Sequence, residues 1–218
     1  MNNIANQKIK KWQEDIEKIT GDVEDLLYSK SQAEELERII RANLFVQQNI
    51  GSFWEHYKLN LTYFLISKIW HQIDEDNHSL SLINLLKDLL SNHIFITKDW
   101  WVAQCEWLLS ETFEEKFGKK DCLDPNLICE DIQSLKESTK EIKEFRHKQV
   151  GHKDNSGKFT SNISYMKIKE AIDRIEKLVI KYQLLFTQSG YENESLTPEP
   201  DDWQVAFTKE WISSKNQF

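Results

Sequence analysis

IKEAIDRIEKLVIKYQLLF, residues 168–186, is the stretch that decides the fold class. Ile168, Ile172, Ile175, Val179, Tyr182 and Phe186 recur there at spacings of 4, 3, 4, 3 and 4. A helix turns once in ~3.6 residues, so these six apolar side chains form one stripe; a half-buried strand would alternate every second residue. Lys169, Glu170, Asp173, Arg174, Lys177 and Lys181 take the rest of the circumference. The pattern predicts one long helix with a single continuous buried face.

Outward from this stretch the 218-residue chain keeps the same style. It contains only 6 Gly and 3 Pro, too few for an all-β protein, which needs a turn at roughly every 8–12 residues. Each glycine sits at the edge of a helical pattern and serves as punctuation. Helices are expected at about 4–29 (with Gly21 as a candidate break), 32–49, 53–72, 80–91, 98–117, 125–150 and 163–187. Ser31…Glu34 and Ser52…Glu55 read as capping boxes, in which serine and glutamate satisfy each other's orphan amides. Asp124-Pro125 places an N-cap before a proline at the first helical position. The expected fold class is all-α, an antiparallel helical bundle without a sheet of consequence, assigned to residues 1–188. Residues 189–202 hold two of the three prolines and no Lys or Arg, the composition of an acidic linker. Trp203, Phe207 and Trp211 then fall at i, i+4 and i+8, one face of a short amphipathic helix over 203–218. Docking onto the bundle and binding a partner both fit that face.

Charge narrows the function classes. Acidic residues outnumber basic ones 36 to 28, a net charge of −8. A protein that coats nucleic acid normally carries a basic surplus, so any RNA contact here needs a local patch. Cys105, Cys122 and Cys129 are odd in number and contain no CxxC, a pattern without a disulfide framework or a zinc site. The stretch MNNIANQKIKKWQEDIEK has no apolar run, and the apolar-rich segment 59–70 is interrupted by Asn60, Thr62, Ser67 and Lys68. A cytoplasmic chain with no membrane contact is therefore expected.

The chemistry concentrates between Glu144 and Lys158. On the helix that ends there, Ile128, Ile132, Leu135, Ile142 and Val150 share a face. With Ile142 at zero and ~100° per residue, Arg146 falls at about +40°, in the middle of that face. A guanidinium cannot shed its proton to escape burial, so it needs an acceptor: a carboxylate, a carbonyl or a phosphate. From Lys136 to Lys158 seven Lys or Arg face four acids, a local net of +3 in an acidic chain. This is where such a chain would hold a phosphodiester. The same letters also fit an Arg146–Glu pair buried between helices, with a surface histidine beside a loop.

Arg146-His147-Lys148-Gln-Val-Gly151-His152 resembles the R-x(4–6)-H motif of the HEPN superfamily. The wider context, Arg146, His147, Lys148, Gly151, His152 and Asp154, is similar to the abortive-infection AbiU-type group. Ser79-Leu-Ser-Leu-Ile-Asn-Leu-Leu is similar to that group's short middle helix. His147 stands where the group usually has an acid, and Gly151 where it has alanine. The resemblance implies an all-α bundle that commonly dimerises and, in many members, a metal-independent ribonuclease of phage-defence or toxin–antitoxin kind. It implies Arg146, His152 and His147 as the catalytic set, with Lys148, Lys153 and Asp154 toward substrate, and neither metal nor cofactor. RNA, a second copy of the chain and an antitoxin protein are the implied partners. The alternative is a non-catalytic HEPN-like module that dimerises and binds nucleotide or protein.

Two further groups are weighed. His71, Asp74 and His78 have the i, i+3, i+7 spacing of metal ligands on one helix face, but the residues between them read as a turn. Trp100, Trp101 and Trp107 suggest a stacking platform for bases, yet their spacing is that of core packing. No P-loop, G-x-S-x-G, G-x-G-x-x-G or H-E-x-x-H is present.

Overall fold

The computed structural model describes residues 3–104, 110–147, 163–187, 195–197 and 205. These form seven α-helices and no strand: α1 (Asn3–Ala42), α2 (Leu44–Ile73), α3 (Leu82–Asn92), α4 (Lys98–Val102), α5 (Ser110–Phe117), α6 (Pro125–Phe145) and α7 (Tyr165–Thr187). None of them is long and apolar enough to cross a membrane.

The stripe on α7 is the centre of the core. Ile168, Ile172, Ile175, Val179, Tyr182 and Phe186 are all buried. They meet Trp12, Ile16, Ile19, Val23 and Leu26 of α1, each fully buried. Full burial of such side chains stabilises by roughly 1.5–3 kcal/mol apiece. Polar pairs along this contact fix the direction of packing. Gln13 reaches the carbonyl of Phe186, Thr20 reaches Gln183, and Lys30 reaches Asp173. Positions rise on one helix as they fall on the other, so α1 and α7 are antiparallel. Lys181–Asp131 and Lys167–Glu141 show the same relation between α7 and α6.

The first two helices differ from the expectation. A helix start at Ser31 is overridden, and α1 runs unbroken through Gly21 and Ser31 to Ala42. The capping box is a local preference worth about 1 kcal/mol, whereas the buried stripe continues through Leu27, Ala33 and Ile40. The chain reverses at Asn43, whose side chain accepts from the Val46 amide. Gly51, at φ 34° and ψ −120°, kinks α2 just before Ser52, where the second capping box places its start. That backbone geometry is open to glycine and costly for other residues.

The helix expected over 98–117 is also divided. Thr97 caps α4 by accepting from the Trp100 amide, and α4 ends at Val102. In α5, Phe113 and Phe117 then close on Trp101, with ring centroids 5.7 and 5.9 Å away. One straight helix would carry these three rings apart, so burial of the aromatic cluster requires the division. Gly118 follows at φ 109°, with the space for a Cβ already taken by Asp124. Asp124 caps α6 as expected, accepting from the Asn126 amide with Pro125 behind it.

Leu196 is buried against the bundle, where the Glu176 carboxylate of α7 accepts from the Leu196 amide and the Ser195 hydroxyl.

Candidate functional site

Tyr63 and Trp70 are seven residues apart on α2, two turns along one face, and both lean on the core. The end of α6 docks on them. Phe145, 8% exposed, sits on Tyr63 with ring centroids 6.4 Å apart. The Arg146 guanidinium lies over the Trp70 indole, 4.0 Å from the ring centroid. His147 meets the same ring edge-on, at 5.3 Å and 81°. The last residue of α6 and the two that follow it thus grip two aromatic side chains.

An ordinary α-helix would spread three consecutive residues over ~200° of its circumference. At Arg146 and His147 the winding widens to that of a π-helix.

Arg146 is half-buried, and no carboxylate among the described residues pairs with it. Its burial is instead offset by the negative face of the indole, an attraction of about 1 kcal/mol for a partly desolvated pair. This departs from the sequence reading, which allowed only oxygen acceptors. Contact through the π face consumes none of the guanidinium's five N–H donors. The arginine is therefore placed and supported while its fork remains suited to two oxygens of a phosphate.

From the site toward the start of α6, the seam with the end of α2 becomes a shallow groove of about 200 Å³. Ile73, Glu75, Lys136, Thr139, Lys140 and Lys143 line it, with Ile83 and Leu135 at its base. The Glu75 carboxylate accepts from Lys87 and lies 3.6 Å from both Lys136 Nζ and Lys143 Nζ. The Lys87 hydrogen bond and the two further ammonium groups hold its carboxyl below the usual carboxylate range, against a smaller opposing effect of burial.

Of the residues singled out from sequence, Arg146 and His147 are brought together on one ring. Lys148, His152, Lys153 and Asp154 lie outside the described residues. Trp70 escaped the sequence reading; its signal is the i, i+7 spacing from Tyr63 on a half-buried face, shared by many aromatic pairs without function. Asp74 of the weighed metal triplet is engaged in its own loop, accepting from the Asp76 amide and the Ser79 hydroxyl. Among the described residues no cluster of three or more His, Cys, Asp or Glu assembles as a metal site. Trp101 is fully buried and Trp100 packs partly buried against the core, so neither offers a stacking platform; Trp107 lies outside the described residues.

Comparison with known proteins gives one family. The AbiU2 model of the HEPN domains matches residues 30–209, most of the chain. No curated protein and no solved structure matches it.

Proposed function

The chain belongs to the AbiU2 family of HEPN domains, and from that premise we propose that it is a metal-independent endoribonuclease acting in phage defence or as a toxin. The observation that carries the proposal is the half-buried Arg146, held over Trp70 by its π face, with the His147 ring beside it. An arginine meant only to bind two helices together would be expected to meet a carboxylate.

RNA supplies its own nucleophile, so the protein has to move protons and stabilise charge. His152 removes the proton of the ribose 2′-hydroxyl as that oxygen attacks the adjacent phosphorus. Imidazole suits the task because its ordinary pKa of about 6.5 lies near neutrality. Arg146 donates two hydrogen bonds to the phosphorane oxygens, whose negative charge grows in the transition state. The bond to the 5′-oxygen breaks, and His147 returns a proton to that leaving oxygen. The products are a 2′,3′-cyclic phosphate and a 5′-hydroxyl. Lys148 and Lys153 hold the flanking backbone, and Asp154 orients an imidazole. We extend the proposal to a homodimer that pairs the Arg146–His152 segments around one cleft, with an antitoxin protein as regulator.

The test is RNA incubated with the purified protein in EDTA. Cleavage leaving cyclic phosphate ends is expected, reduced about 10²–10⁴-fold by His152→Ala and about 10²–10³-fold by Arg146→Ala. Cleavage that requires divalent metal would refute the mechanism. Intact RNA under all conditions, from a folded dimer, would favour the binding module.

A further inference from the structure

The groove between α2 and α6 has an arrangement that catalysis at Arg146 does not require. Lys136, Lys140 and Lys143 are spaced 4 and 3 along α6, one stripe of the helix. The stripe leads along the seam to the residues on Trp70. α2 runs antiparallel beside it, with Trp70 opposite Arg146, and Glu75, just past the end of α2, opposite Lys143 and Lys136. Lys87 of α3 closes the third side.

Three ammonium groups converge on one carboxylate, leaving the cluster at a net +2. Lys140 on the groove wall raises it to +3. All four groups of the cluster keep between 35% and 50% of their side-chain surface exposed, so an incoming anion reaches them without unfolding anything. Lysine presents a mobile point charge suited to phosphate, with no demand on bond geometry. Coulomb attraction does not distinguish Glu75 from a phosphate oxygen, except that the phosphodiester arrives with neighbours at regular steps. Neighbouring lysines of the stripe are three or four residues apart, about 5–6 Å along α6, of the order of the step between successive backbone phosphates.

We propose that this groove binds a backbone phosphate of single-stranded nucleic acid next to the one at Arg146, and that Glu75 is the resident anion which that phosphate displaces. Glu75 then acts as an electrostatic gate. It neutralises the lysines in the free protein and weakens unspecific attraction of nucleic acid. It yields only to a strand already positioned at the end of α6. The inference rests on the proposed engagement of RNA, but not on its cleavage.

The probe is therefore a fluorescently labelled oligonucleotide of about a dozen 2′-O-methyl nucleotides, long enough to cover one such site and without a free 2′-hydroxyl to react. Its binding is followed by anisotropy over a salt series. Glu75→Gln is expected to bind about threefold more tightly at low salt, with the slope of log affinity against log salt close to the wild-type value, because the same phosphates are neutralised in both proteins. Lys136→Ala and Lys143→Ala are each expected to weaken binding and flatten the slope. They carry the test alone if Glu75→Gln lowers the helical circular dichroism signal. Wild-type affinity and slope in both lysine variants would overturn the proposal. So would unchanged or weaker binding by a folded Glu75→Gln protein. Polyglutamate that competes as well as the oligonucleotide would reassign the groove to an acidic protein surface. Inorganic phosphate binding that the lysine variants abolish, with oligonucleotide binding intact, would reduce it to a free-anion site. Oligonucleotide binding that responds as expected without RNA cleavage would leave this inference standing and refute the ribonuclease reading alone. Cleavage by a protein whose binding ignores Glu75 and the lysines would do the reverse.

Discussion

Replacing Trp70 by leucine tests whether the indole is what holds Arg146 in place. The guanidinium lies 4.0 Å from the ring centroid, inside the roughly 6 Å reach of a cation–π contact. Such contacts contribute about 0.5–1 kcal/mol when exposed and about 2 kcal/mol when desolvated. Both partners are half-buried, which puts the coupling at about 1 kcal/mol. Either substitution alone also loses packing, Trp70 against the core and Arg146 through its aliphatic stem. A double-mutant cycle of Trp70→Leu, Arg146→Met and the pair removes those contributions. Urea denaturation at neutral pH, followed by the helical circular dichroism signal, supplies the four free energies. The double variant is expected to be about 1 kcal/mol more stable than the sum of the single losses implies. Additivity within about 0.3 kcal/mol is the behaviour of uncoupled sites, and finding it here would refute the account of how the arginine is supported.

Other expectations follow from the same structure. Gly118→Ala should destabilise by about 1–3 kcal/mol, because φ is 109° and the new Cβ would stand 2.6 Å from that of Asp124. Gly21→Ala, on α1 with open space around it, should instead stabilise by roughly 0.5–1 kcal/mol, and thermal melts of the two variants give opposite shifts. The Tyr182 hydroxyl, kept from ionising by burial and then by the Asp131 carboxylate beside it, donates to that carboxylate at 2.8 Å. Tyr182→Phe should cost about 1–2 kcal/mol in denaturant unfolding, while a loss near zero would show that Lys181 alone satisfies Asp131. At Asp88, burial works to raise the carboxyl, but hydrogen bonds from Lys8 and Trp12 outweigh it and hold it low. A depressed folded value contributes stability above the unfolded carboxylate range, about pH 4, that is lost as pH falls through the folded value. Melting temperature should accordingly drop on the acid side, and Asp88→Asn should flatten that drop.

The stripe from Ile168 to Phe186 and the Asp124-Pro125 cap were legible because both are local. A 3.6-residue repeat or a cap is written in neighbouring residues and forms wherever the segment is buried. The same locality explains where the sequence misled. Ser31…Glu34 is a sound capping box, but its preference is small beside the buried surface that α1 gains by continuing to Ala42. Trp101 closes with Phe113 and Phe117 only by dividing the expected helix, a gain that no helical repeat encodes. At the candidate site the sequence determined that Arg146 sits on an apolar face and needs a partner. The identity of that partner was decided by the docking of α6 against α2, which brings in an indole rather than a carboxylate. The packing of α3 and α6 beside the end of α2 gathers Lys87, Lys136 and Lys143 around Glu75. A helix repeat determines which side chains share a face. What lies opposite that face depends on the packing of every helix at once, and with it the charge and chemistry of the groove.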